Sequence, residues 1–142
     1  MKHPLHPALV HFPVACWSLA TMADLASLWW GEPAWRFAAT LLAIGLASAV
    51  AAMLAGMIEL MKLDADHPAM PDVNRHMLLA MAAWCCYAAS LFLRLDGVRP
   101  TAPDALDLGL SVAGFVVLGL TGWLGGKLVY GHGLGTGKRA SS

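Results

Sequence analysis

Four stretches of this chain run long enough without a formal charge to cross a lipid bilayer as helices. They cover residues 5–23, with apolar sequence resuming after Asp24 as far as Trp30, then 37–58, 76–93 and 108–126. A bilayer core asks for about 17–25 helical residues. Lipid offers no partner to a backbone N–H or C=O, so a spanning segment must satisfy its own. The runs are continuously apolar, without the alternation of a membrane β-barrel strand. The expectation is an all-α integral membrane bundle, with helices near 8–30, 35–61, 74–95 and 105–130. These form one transmembrane domain across residues 1–142. Only 13 % of the residues are charged, against about 25 % in an ordinary soluble domain. The 9 basic and 9 acidic side chains cancel, which argues against a nucleic-acid partner, normally met by a clustered basic surface.

Breakers separate the runs. Gly31-Glu32-Pro33 divides the first pair, Asp64 to Asp72 with Pro68 and Pro71 the second, and Asp96 to Asp104 with two prolines the third. Short connections imply antiparallel neighbours and an up-down-up-down order. Trp29, Trp30, Trp35 and Tyr130 fall at helix ends, the usual depth of interfacial aromatics. The first run is read as a retained span: it lacks a basic leader beyond Lys2, and Asp24 follows it where a cleavage site would be expected. Two small-residue series, Ala43, Ala47, Ala51 and Ala55 on helix two and Gly119, Gly122 and Gly126 on helix four, read as close helix contacts or as room for a flat cofactor.

An even number of crossings puts both termini and the central loop at one membrane face. His3, His6 and His11 open helix one, His67 lies in the central loop, His76 opens helix three and His132 follows helix four. All six histidines therefore gather at that face. Lys2, Lys62, Arg75, Lys127, Lys138 and Arg139 flank it, against Arg36, Arg94 and Arg99 opposite. The positive-inside rule then makes the histidine face and the termini cytoplasmic.

His11 and His76 enter their helices at matching depth, and helices one and three are diagonal in a four-helix ring. Two such imidazoles suit the axial positions of a haem b, with His132 or His6 as replacement ligands and a quinone as exchange partner. The competing reading is that each histidine caps a helix end. His3, His6 and His67, with His11 and His132, also offer imidazoles to copper or zinc in a metal-binding or transport module, although solvated interfacial histidines explain them as well. His132 reads as a turn residue if no cofactor is bound. Pro13 puts His11 beside irregular backbone, either inside a helix that starts near Pro7 or just ahead of one that starts at Pro13 itself.

Asp24 is the one carboxylate well inside an apolar run, about 20 Å along helix one from His11. It is a candidate proton or polar relay, or a contact for headgroups or Arg94. Glu59, beside Lys62, is read the same way. Cys16, Cys85 and Cys86 lack a metal-type spacing and read as small reduced thiols. The eight methionines read as packing, and no nucleotide loop or nucleophile motif is present.

His3-Pro4-Leu5-His6-Pro7 with Val10-His11-Phe12-Pro13, then Gly56-Met57-Ile58-Glu59, Arg75-His76-Met77-Leu78-Leu79, and Gly122-Trp123-Leu124-Gly125-Gly126-Lys127-Leu128-Val129-Tyr130 before Gly131-His132-Gly133 resemble an uncharacterised bacterial family of four-helix membrane proteins. The resemblance runs through nearly the whole chain. Some members are fused to a Rieske iron–sulfur domain, which implies a redox setting. No Rieske motif occurs here, so the resemblance implies a separate iron–sulfur or other redox partner. Members often carry Asp where this chain has Glu59. A cofactor-free structural subunit, packing a partner or forming a homo-oligomer through its glycine and alanine faces, is a further alternative.

Overall fold

The computed structural model describes residues 5–134, with side chains from His6 onward. Helix α1 spans Leu5–Trp30, α2 Glu32–Leu60, α3 Met70–Leu93 and α4 Ala105–His132. Between α3 and α4 lies a minimal antiparallel ladder, β1 (Leu95–Asp96) paired with β2 (Arg99–Pro100). All four helices are long and apolar enough to span a membrane, and exposed Phe12, Leu19, Leu28, Leu54, Phe92 and Val116 give the bundle an apolar outer surface.

Local chemistry explains the ends. Gly31, with φ 64°, makes the turn between α1 and α2 by itself. Helix α2 therefore starts at Glu32, three residues earlier than expected, with Pro33 in its first turn where a missing N–H costs nothing. Pro71 does the same for α3, which begins at Met70 rather than near 74. Asp104 caps α4 through a capping box: its carboxylate accepts from the backbone N–H of Leu106 and Asp107, and the Asp107 side chain accepts from the backbone N–H of Asp104. Helix α1 begins at least as early as Leu5, so Pro13 lies inside it and is buried. The third helix stops at Leu93 instead of 95, because β1 and the turn at Gly97 (φ 62°) take over.

The ring order is α1, α2, α3, α4, with α1 packed most extensively on α2 and α3 on α4. Helices α1 and α3 are diagonal, as expected, and their side chains meet across the bundle axis at three levels. His6 meets His76 at one end, Trp17 stacks on Tyr87 in the middle (4.8 Å between ring centres), and Asp24 bonds Arg94 at the other end. Each pair is separated by 70 residues in sequence.

Parallel helices keep such an offset constant by geometry; the recurrence of residue kind, His opposite His and aromatic opposite aromatic, is what points to an internal repeat. The α1–α2 hairpin and the α3–α4 hairpin correspond position by position along the bundle. Helices α2 and α4 correspond at an offset one residue shorter. Gly45 and Gly56 lie against the rings of Trp17 and His6, while Gly114 and Gly125 lie against those of Tyr87 and His76. In every helix the paired positions are eleven residues apart, three turns, so they stay on one face. Burial follows the same register: Pro13, Ala20 and Thr21 match Ala83, Ser90 and Leu91, and Ala38, Leu42, Ala49 and Ala52 match Asp107, Ser111, Leu118 and Thr121, all buried.

The packing glycines are therefore not those singled out from sequence. Gly119 and Gly122 are exposed, and a Cβ on Gly119, Gly122 or Gly126 would meet nothing within 4 Å. Ala43, Ala47 and Ala51 likewise face outward. Their spacing is right for a helix contact, but the face buried in α2 is that of Ala38, Leu42, Gly45, Ala49 and Ala52.

Candidate functional site

The histidine end of the axis is built from both repeats. Helix α1 brings His6 and helix α3 brings His76 to within 6.5 Å between ring centres, with the ring planes at 89°. His6 Nδ1 lies 2.7 Å from the carbonyl oxygen of Ala52, and His76 Nδ1 lies 3.0 Å from that of Thr121. Ala52 and Thr121 are equivalent positions of the repeat. A carbonyl only accepts, so each Nδ1 carries the proton and donates. A neutral ring in that tautomer keeps its lone pair on Nε2. Neither Nε2 makes a hydrogen bond among the described residues. Gly56 and Gly125 let the rings lie against α2 and α4: a Cβ at Gly56 would stand 2.9 Å from His6 Nδ1, and one at Gly125 would stand 3.3 Å from His76 Cε1.

Glu59 belongs to this end. Its Oε1 accepts from the backbone N–H of His6 at 3.2 Å, holding the first turn of α1 onto α2. The sequence had set it beside Lys62; no bond joins the two.

His11 is not part of the pair. It is exposed on the outside of α1 and makes no hydrogen bond among the described residues. It lies five residues beyond His6, half a turn short of returning to the same face. His76 therefore meets His6 and not His11, which corrects the expected pairing. His67 bonds locally, accepting from the backbone N–H of Ala69 through Nδ1. His132 is the last residue of α4 rather than a free turn. Its Nε2 is 3.1 Å from Asp72 Oδ2, a buried carboxylate that also takes Lys127 Nζ at 2.8 Å and lies 3.6 Å from Arg75. His3 lies outside the described residues. Among those described, no group of three or more His, Cys, Asp or Glu side chains is arranged to hold a metal ion. The three cysteines are free.

About 27 Å along α1 from His6, comparable to the thickness of a bilayer core, Asp24 and Arg94 form a fully buried ion pair. Both carboxylate oxygens are taken, Oδ1 by Nη1 at 2.6 Å and Oδ2 by Nη2 at 3.0 Å. Arg94 also donates to the Ser90 carbonyl and hydroxyl, and Ser90 donates to the Asp107 carbonyl. Of the two partners offered by the sequence, Asp24 takes Arg94. Between the two ends, the Thr21 hydroxyl lies within hydrogen-bond reach of the hydroxyls of both Tyr87 and Ser111. Trp17 Nε1, buried against Gly45, has no hydrogen-bond partner.

Sequence reading missed Trp17, Tyr87, Gly56 and Gly125 as site-forming residues, and left His6 in a supporting role. The signal was present. Histidine, eleven residues, aromatic, seven residues, charge recurs in helices one and three, and glycine, eleven residues, glycine recurs in helices two and four.

Neither the curated proteins nor the solved structures include a match to this chain. A family model described as "Predicted membrane protein (DUF2231)" matches residues 2–138. That match, nearly end to end, agrees with the four spans, and the chain belongs to the DUF2231 family of membrane proteins.

Proposed function

We propose that the protein is a membrane electron carrier in which His6 and His76 would hold the iron of one haem b. The observation that carries the reading is the ring pair, 6.5 Å between centres with both Nδ1 atoms committed to backbone carbonyls. With metal–imidazole bonds of about 2.0–2.1 Å, two opposed rings sharing one ion have centres roughly 6 Å apart. A ligating histidine typically donates its other N–H to a carbonyl or carboxylate, which fixes tautomer and orientation. Ala52 and Thr121 fill that role.

Bound haem iron supplies one-electron chemistry at the histidine face. Around it, this chain holds the two nitrogens, excludes water with apolar helix faces and anchors the His6 turn through Glu59. A quinone and a separate iron–sulfur or other redox protein are the exchange partners in this reading. The histidine face is cytoplasmic in a bacterial inner membrane. Arg94 is sequestered by Asp24, which leaves Arg36 and Arg99 as the basic residues of the opposite face.

A second reading keeps the same nitrogens and replaces haem by a single copper or zinc ion. The close packing against the rings favours it, since Gly56 and Gly125 lie directly against them, and a lone ion needs less room than a macrocycle.

Protein purified in mild detergent from cells supplied with haem precursor separates the readings. A Soret band with sharp α and β bands on dithionite reduction, lost in both His6→Ala and His76→Ala, is the expected result. Stoichiometric copper or zinc without that spectrum selects the second reading. Colourless, metal-free protein defeats both.

A further inference from the structure

The repeat poses a problem of pairing. Its two hairpins are similar enough that a hairpin would find much of what it needs in a copy of itself. Across the axis, His6 would meet His6, Trp17 would meet Trp17, and Gly45 and Gly56 would still accept those rings. One level differs in kind. Asp24 and Arg94 occupy equivalent positions, with side chains 1 % and 0 % exposed, and carry opposite charges. Self-pairing of α1–α2 would bury two carboxylates face to face, and self-pairing of α3–α4 two guanidinium groups. Neither arrangement neutralises its charges, and an unpaired buried charge is far costlier than a paired one. Each group also has a fork geometry that only its opposite completes, carboxylate against guanidinium through two parallel hydrogen bonds.

We infer that Asp24 and Arg94 are the recognition element that makes the α1–α2 hairpin select the α3–α4 hairpin, whether from its own chain or from a second copy. The other pairs on the axis set distance and register; this one sets identity. The inference is independent of any cofactor, because the ion pair lies at the opposite end of the bundle from the histidines.

The repeat also supplies the test. Exchanging the charges, D24R/R94D, restores complementarity in mirror image. Moving the supporting hydroxyl with the arginine, A20S/D24R/S90A/R94D, rebuilds the Ser90 contacts at the equivalent position, since Ala20 and Ser90 are both fully buried and correspond in the repeat. In the full chain, the single variants D24R and R94D are expected to lose folded monomer roughly tenfold or more by size exclusion in detergent. The four-residue exchange is expected to recover most of the parent yield. Differently tagged D24R and R94D chains, made together, are expected to co-purify as a dimer with exchanged hairpins, because each chain then carries the charge that the other lacks. An exchange variant no better than the singles, singles that fold like the parent, or co-purification no greater than that of each variant with itself would each overturn the inference. None of these readouts depends on haem or metal.

Discussion

The imidazoles of His6 and His76 lie with 6.5 Å between ring centres and their planes at 89°, and each is held by a backbone carbonyl at the same place in its own hairpin. His11, one turn and a half further along α1, is outside the bundle. His11→Ala should therefore leave the reduced-minus-oxidised spectrum of the purified protein unchanged, while His6→Ala and His76→Ala abolish it. Loss of the spectrum in His11→Ala alone would return the ligand role to that residue.

Glycines divide into two kinds that one substitution tells apart. At Gly45 an added Cβ would sit 2.5 Å from the Trp17 ring, and at Gly114 it would sit 3.0 Å from the Tyr87 ring. Gly45→Ala and Gly114→Ala are expected to destabilise by about 1–3 kcal/mol through overpacking. At Gly119 and Gly122 the Cβ enters open space, so alanine should be neutral or gain up to about 1 kcal/mol from helix propensity. Thermal unfolding in detergent, followed by circular dichroism, measures all four. Equal effects at the two kinds of site would contradict the inward and outward assignment.

Tyr87 combines a stacked ring with a buried hydroxyl 3.1 Å from Thr21 Oγ1. Tyr87→Phe keeps the ring and removes one hydrogen bond, for an expected loss of about 0.5–1.5 kcal/mol. Tyr87→Ala opens a cavity beside Trp17 and should cost about 3–5 kcal/mol, with a shift in tryptophan emission. If the two variants unfold alike, the ring is not a packing element of the axis.

The start of α4 depends on Asp104, whose carboxylate accepts from two backbone N–H groups. Asp104→Ala should cost about 1 kcal/mol, and Asp104→Asn or Asp104→Ser considerably less. Hydrogen exchange of the amides of Leu106 and Asp107 is the direct readout. Unaltered protection in Asp104→Ala would show that the cap is dispensable.

The sequence by itself determined the number of helices, their approximate limits, their antiparallel order and the gathering of the described histidines toward one end. Each follows from local chemistry: uncharged run length sets the spans, proline and glycine set the breaks, and an even crossing number sets the shared face. It also offered Arg94, beside lipid headgroups, as a contact for Asp24. Tertiary structure alone decided which face of each helix turns inward. Ala43, Ala47 and Ala51 have a regular small-residue spacing, yet the neighbouring stripe through Ala38, Leu42, Gly45, Ala49 and Ala52 is the buried one. Nearly every residue in such a helix is apolar, so polarity hardly marks the inner side. What marks it is the shape of the partner: the rings of Trp17 and His6 need Gly45 and Gly56, and no other pair on α2 is spaced to receive them. The same packing brought His6 to His76 and left His11 outside, since a step of five residues turns a helix by about 500°, well off the starting face.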